Sequence, residues 1–277
     1  TTGGAGGVAI GNTNTSTGDR AISIGESNNS QKEDTITMGY SNTASVGGAI
    51  AIGQNNEANS GGSAGNTMIA IGRDNKAKAQ DTIAIGRETT ASKDLSVAIG
   101  NRTEATANAA IAIGTNGAPS GGNTYKTTAS GFASIAVGMQ SQAAGASGIA
   151  IGAASNSTGD YAVAMGRLSR ASAKNATALG NEARATFETG VALGSNSITT
   201  SDKGVVGYNP SDLHNRKYTN LQGNVQTATN AAVSIGADEN MTRQLTGLAA
   251  GTADTDAVNV AQLKNVGVAL TGNTGSS

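Results

Sequence analysis

The chain has 277 residues with a formal charge of −1; it is 37% hydrophobic but only 3% aromatic, with no Trp, no Cys and a single His. That charge gives no electrostatic pull towards nucleic acid or an anionic membrane, and the lack of Cys excludes disulfides, thiolate metal sites and thiol catalysis. Forty glycines and so little aromatic bulk cannot fill a core of ordinary thickness, but they suit narrow coils joined by tight turns.

Thr1 to Gly7 is a glycine-rich lead-in, after which the phrase Ile-Ala-Ile-Gly, with small changes, recurs thirteen times. Its closing glycines are Gly11, Gly25, Gly39, Gly53, Gly72, Gly86, Gly100, Gly114, Gly138, Gly152, Gly166, Gly180 and Gly194. Ten of the twelve intervals are 14 residues, and the other two, 19 and 24, are 14 plus inserted loops. A fixed short period means stacked repeats, and 14 residues hold two short strands and two turns, one coil of a β-solenoid. A single coil buries too little to be stable; a stack of coils is needed.

The positions one and three before each glycine are mostly large and aliphatic: Ile83 and Ile85, Val97 and Ile99, Ile111 and Ile113, Ile149 and Ile151. A spacing of two puts each pair on one face of a strand, and these pairs are expected to form the core. A second strand lies five and seven residues after each glycine, where small residues such as Ala77, Ala105 and Ala171 dominate. The middle position of the tetrad points away from the Ile/Val face and is Ala in eleven of thirteen copies. Ala84, Ala98, Ala112, Ala136, Ala150 and Ala164 are therefore expected to pack against a neighbouring chain; a solvent-exposed alanine stripe is the alternative. Asp19, Asp34, Asp81, Asp94 and Asp160 precede the next tetrad and are expected to cap the second turn. The insertions, near Ser60 and Gly61 and from Asn116 to Ser130 with Pro119 and Tyr125, read as exposed loops and are the candidate ligand loops.

After Gly194 the period fails. Gly204-Val205-Val206-Gly207-Tyr208 reads as a last degenerate tetrad, and a polar connector follows that holds one further strand at Val233-Ser234-Ile235-Gly236. Thr255-Asp256 has the composition of a helix N-cap, and Val260, Leu263 and Leu270 have a/d-like spacing that hints at a coiled-coil start. The implied divisions are a head at 1–207, a connector at 208–240, a neck and stalk start at 241–266, and a frayed end at 267–277. No initiating Met, signal peptide or bilayer-length apolar run is present, so the chain reads as an excised fragment.

Two motifs together resemble one known family. The tetrad array, of which Ser96-Val97-Ala98-Ile99-Gly100 is a good copy, resembles the head repeat of YadA-like trimeric autotransporter adhesins. Arg243-Gln244-Leu245-Thr246-Gly247-Leu248-Ala249-Ala250-Gly251, running into Asp256-Ala257-Val258-Asn259-Val260-Ala261-Gln262-Leu263, closely resembles the neck of that family. The resemblance implies an all-β, left-handed parallel β-roll, homotrimeric, ending in a neck that leads into a short α-helical coiled coil. It also implies a virulence-associated adhesin on the surface of a Gram-negative bacterium, anchored in the outer membrane by a barrel this fragment lacks. Such a protein attaches the cell to host cells, extracellular matrix or other bacteria. The family's collagen-associated phrase begins with Asn, where this chain has Leu95, and closes with Ser, where it has Thr103. The neck is expected to lie beneath the head of a neighbouring chain, with Leu245 and Leu248 plugging its base. Arg243 is placed to pair with Asp254 or Asp256.

Rival readings fit less well. A purely structural spacer presenting another domain remains the alternative. A left-handed β-helix enzyme would need a six-residue period and usually a catalytic His, whereas His214 lies alone in the polar connector. A calcium-binding roll wants a nine-residue Gly/Asp phrase, for which the aspartates are too sparse. No catalytic, cofactor or metal site is expected, and no nucleic-acid partner.

Overall fold

The computed structural model describes residues 1–60, 67–117, 126–208, 223–238 and 240–272. Gly61, Pro119, Tyr125 and His214 lie outside the described residues; Ser60 closes the coil before the first insertion.

Every tetrad forms a strand, and each strand pairs in parallel with the tetrads of the coils on either side. Register is strict: Ile83, Ala84, Ile85 and Gly86 sit opposite Val97, Ala98, Ile99 and Gly100, and those opposite Ile111, Ala112, Ile113 and Gly114. Thirteen tetrad strands and Val233–Ser234 make a 14-stranded parallel sheet, while two-residue strands such as Lys76–Ala77 and Thr90–Ala91 make a facing 12-stranded one. The array is a parallel β-solenoid, and the insertions leave the stacking of the coils on either side of them intact.

The inside and outside of the coil are the reverse of the sequence expectation. Ala84, Ala98, Ala112, Ala136, Ala150 and Ala164 are all fully buried within the single chain, against Ala77, Ala91 and Ala105 of the facing sheet. They are the core, and they offer no surface to a second chain. Ile83, Ile85, Val97, Ile99, Ile111, Ile149 and Ile151 are only half-buried, and Ile113 is 39% exposed. Alternation along a strand separates two faces but does not say which one looks inward. Here the interior of the 14-residue coils holds chiefly Ala, Ser, Thr and Asn, with Val46 and Met68 as larger exceptions, and a whole row of Ile does not fit.

Polar side chains complete that interior as ladders. Asn14, Asn28, Asn42, Asn56 and Asn75 stand three residues after successive glycines and stack on one another. The Asn56 amide donates to the carbonyls of Ile52 and of Gly72 in the next coil at 2.9 and 2.7 Å, and to Asn42 Oδ1 at 2.9 Å. Its own Oδ1 accepts from the Asn75 backbone and side chain at 3.2 and 2.8 Å. Buried polar groups are thus satisfied coil by coil. The ladder continues as Thr89, Thr103 and Thr127, and then as Ser141, Ser155 and Ser169. The change has a structural counterpart. The asparagines, Thr103 and Thr127 reach the carbonyl of the following coil's glycine, as Thr103 does to Gly114 at 3.0 Å, and Thr89 donates back to Asn75 Oδ1, whereas Ser155 and Ser169 turn back to the carbonyls of Gly152 and Gly166 in their own coils. From Ile135 onwards the tetrad strands shorten from five residues to three.

The tetrad glycine is required by close approach. Gly86 has φ +135°, and a Cβ there would lie 1.7 Å from the Gly100 carbonyl oxygen of the next coil. Two further positions per coil, two and nine residues after the glycine, are also left-handed, and non-glycine residues including Leu95, Tyr161 and Leu168 occupy them at φ 56–61°. Among the aspartates, Asp19, Asp81, Asp94 and Asp160 accept a backbone amide one coil earlier, at Ala5, Thr67, Gln80 and Ala146. Their caps link coils instead of closing a turn of their own. Asp34 does neither; it forms a two-pronged pair with Arg20 at 2.6 and 2.8 Å.

At the C-terminal end, Val206 pairs antiparallel with Thr227 and does not extend the stack. The place after Val191–Leu193 is taken by Val233–Ser234, so Gly204 to Tyr208 is not a degenerate coil.

Candidate functional site

The outward Ile/Val rows are the first feature that needs a partner. Two side chains per coil, apolar at every position except Thr177 and held in register over thirteen strands about 4.8 Å apart, make an apolar face on the order of 60 Å long. Val8, Ile10, Met38, Ile113, Met165, Leu179 and Leu193 are the most exposed residues on it. Water-facing apolar surface of this extent marks an interaction surface on a protein that is otherwise polar.

The neck is the second feature. Arg243 sits under the last coil of its own chain, where its guanidinium donates to Ser197 Oγ at 3.0 Å, the Ser195 carbonyl at 2.6 Å and the Ile235 carbonyl. It therefore caps open carbonyls at the solenoid base and does not pair with Asp254 or Asp256. A guanidinium with its fork of donors is suited to several carbonyls at once.

Asn259 and Gln262 shape the start of the helix Val260–Gly272. Asn259 Oδ1 accepts from the Gln262 backbone at 3.0 Å, and Gln262 Oε1 accepts from the Asn259 backbone at 3.1 Å, a reciprocal capping box. The same side chains reach back along the chain: Gln262 brackets both backbone groups of Gly251, and Asn259 donates to the Leu248 carbonyl. The N-cap is thus Asn259, not Thr255 or Asp256. Asp256 closes the preceding turn by accepting from the amides of Ala253 and Thr252, and these bonds hold its carboxyl below the usual carboxylate range.

Leu245, Leu248, Val258, Val260 and Leu263 all face water, Leu245 and Leu263 each at 65% exposure. Leu245 and Leu248 therefore do not plug their own head. With Ile235, Gly247 and Ala257 they line an open cleft of about 440 Å³ beside Arg243. Gln244 precedes that cleft and is exposed.

Ionic groups run along the coil edges. Arg102 pairs with Glu88 at 2.5 Å, and its hydrogen bond, with a weaker one from Arg87, holds the Glu88 carboxyl low against the opposing effect of burial. Among the described residues no cluster of three or more His, Asp or Glu is arranged to hold a metal, and no helix is long and apolar enough to cross a membrane.

The site is thus a repetitive apolar face together with an exposed apolar neck that runs into a helical segment. The comparisons with known proteins agree. The family described as the YadA head domain repeat matches residues 3–26, 31–56, 69–89, 91–116, 129–155, 143–169 and 171–197, and that of the coiled stalk of trimeric autotransporter adhesin matches 244–277. The chain belongs to the YadA-like head and stalk family of trimeric autotransporter adhesins. Among solved structures it is similar to the collagen-binding domain of the Yersinia adhesin YadA, at 31% identity over 72% of this chain and 82% of that one, with a TM-score of 0.42. No curated protein matches.

Two contributors were missed or misread in the sequence. The Asn ladder was legible as Asn three residues after the first five glycines, a periodic polar residue at an interior position. The role of Arg243 was not, because two of its three acceptors lie 46 and 48 residues away in the chain.

Proposed function

We propose that this chain is the adhesive head of a bacterial surface adhesin, assembled as a homotrimer through its outward Ile/Val rows. The observation that carries the assembly is the apolar face itself: isolated, it leaves two aliphatic side chains per coil in contact with water, and self-association removes them. The exposed leucines and valines of the neck belong to the same arrangement. The neck, tied to its own last coil at Arg243, passes on beneath the head of its neighbour and covers the neighbour's 440 Å³ cleft, and Val260 and Leu263 begin the helical seam. Removing residues 241–277 then lowers the melting temperature and makes it depend on protein concentration; unchanged melting at every concentration refutes that role for the neck.

Attachment to host cells, extracellular matrix or other bacteria follows from membership in an adhesin family and from repeated surfaces displayed on a rigid stack. The test is surface display of the chain on a non-adherent bacterium, with attachment scored on cultured cells, on other bacteria and on a matrix panel. Collagen belongs in that panel because the YadA domain similar to this chain is described as collagen-binding. Binding above the non-displaying control on at least one surface supports the proposal. Equal binding on every surface overturns it in favour of a spacer that presents another domain.

A further inference from the structure

The row of outward side chains that opens each short strand of the 12-stranded sheet carries one residue per coil: Glu57, Lys76, Thr90, Glu104, Thr128, Gln142, Asn156, Arg170 and Arg184, in register. In the first part of the head carboxylates stand in or beside this row, at Glu57, Glu88 and Glu104. Lys76 lies opposite Glu57, Arg102 pairs with Glu88, and Lys126 pairs with Glu104. Lower down this matching stops. Arg170 and Arg184 are direct neighbours on adjacent strands, both exposed, and neither makes an ion pair among the described residues. Lys174 is also without an ion pair, but Asp160 and Glu188 flank it one coil to either side. Like charges set opposite each other in a sheet destabilise it. The isolated chain therefore gains nothing from this pair of arginines.

The row continues above them in amides. Gln142 and Asn156 precede Arg170, and with Gln140, Ala154 and Ser155 they line a shallow cleft of about 270 Å³. Asn156 Oδ1 is buried there with no hydrogen-bond partner. Four polar residues, one per coil at about 4.8 Å intervals, thus run in a straight line that begins in an open cleft and ends in two free guanidinium groups. Guanidinium binds tetrahedral oxyanions with two parallel N–H donors, and a straight row with one donor site per coil fits an extended chain that carries such anions repeatedly.

We propose that this basal row binds a sulfated polysaccharide, with Arg170 and Arg184 gripping sulfate groups and Gln142 and Asn156 hydrogen-bonding the sugar hydroxyls. The assignment rests on the reading of the chain as a cell-surface head, since a polyanion met outside the cell is a polysaccharide before it is a nucleic acid. The probe is a fluorescent heparin octasaccharide, measured by polarisation against the full 277-residue chain at 50 and 150 mM salt. Its desulfated counterpart and inorganic sulfate serve as competitors. The expected result is binding that the octasaccharide displaces and the desulfated sugar does not, at least tenfold weaker for the R170Q/R184Q variant, with a shallower salt dependence. The Arg20→Gln variant, which removes an arginine paired with Asp34 in the first part of the head, leaves binding unchanged. Both substitutions are at exposed side chains, and circular dichroism checks that the stack is intact. Equal affinity for the desulfated sugar, or an R170Q/R184Q variant that binds as well as the unaltered chain, overturns the proposal. Enzymatic removal of sulfated glycans from cultured cells separates the two readings. Attachment of the displaying bacteria that persists undiminished refutes the glycan site and leaves the adhesin standing; attachment that drops supports the site. Failure to attach to any surface before treatment refutes the adhesin reading itself.

Discussion

Replacing Asn56 by Ala removes five side-chain hydrogen bonds from the middle of the buried ladder. The Asn75 backbone amide then has no acceptor and the Gly72 carbonyl loses a donor that reached it at 2.7 Å, while the Asn75 side-chain amide keeps the Ile71 and Gly86 carbonyls. Asn42 Oδ1 keeps the Asn56 backbone amide at 3.1 Å, so it is not orphaned. At about 1–3 kcal/mol for each buried group left unsatisfied, the loss is about 3–4 kcal/mol, a large share of the stability of an ordinary domain. Asn56→Thr behaves differently. Its hydroxyl both donates and accepts, and the stack already uses Thr89 and Thr103 at the equivalent positions of later coils, where Thr89 donates to Asn75 Oδ1 at 2.7 Å. The expected loss for Thr is about 1 kcal/mol. Urea unfolding followed by the β signal in circular dichroism reads both variants, and the Ala variant unfolds at clearly lower denaturant. Coincident curves for Ala and Thr would show that the ladder contributes volume and not hydrogen bonding, and the reasoning would fail.

Gly86→Ala forces a methyl group to within 1.7 Å of the Gly100 carbonyl, so adjacent coils must separate; the expected outcome is loss of the β signal or a stability drop of more than about 3 kcal/mol, and native-like melting would contradict the close approach. Leu95→Asn places a residue that tolerates the left-handed region where a 59%-exposed leucine now sits at φ 61°, and a gain of about 1 kcal/mol in thermal or urea unfolding is expected; a loss would show that Leu95 packs in a way its exposure hides. Asp256 has a folded-state pKa below its unfolded value, so its contribution to the turn is present above about pH 4 and is lost as pH falls through the depressed folded value. NMR titration should give an Asp256 midpoint below that of an unstructured Asp, with the amide shifts of Thr252 and Ala253 moving at the same midpoint; a midpoint at or above the unstructured value refutes the turn.

The period and the parallel stacking were legible in the sequence because they depend on spacing alone, and the strand at Val233–Ser234 was legible from the tetrad-like phrase Val233-Ser234-Ile235-Gly236. So was the neck, through its distinctive run from Arg243 to Leu263. The sidedness of the coil was not. Hydrophobicity ranks Ile above Ala for a core, and that ranking fails when two sheets lie too close for a row of isoleucines to fit between them. Alanine at eleven of thirteen middle positions was the signal, since a surface row has no reason to be so uniformly small while an interior row of fixed width does. The helix N-cap was displaced by three residues because Asp256 and Asn259 are both good cap types, and only Gln262, three residues after Asn259, distinguishes them. Arg243 and the interruption at Gly204 depend on contacts far apart in sequence, which periodicity does not report.

Ala98 and Ile99 are adjacent in one strand and face opposite ways, the first fully buried and the second half-exposed on the outer face. A matched pair of variants, Ala98→Glu and Ile99→Glu, measured together by circular dichroism and light scattering, therefore tests directly which side of the coil is the core and which is the assembly surface. The account predicts that Ile99→Glu keeps the β signal but scatters as the 27.1 kDa chain alone, while the unaltered protein scatters at about three times that mass. Ala98→Glu, with a charge forced into a closed interior, loses the β signal itself. A folded Ala98→Glu variant that merely fails to assemble, beside an Ile99→Glu variant that unfolds, would contradict it.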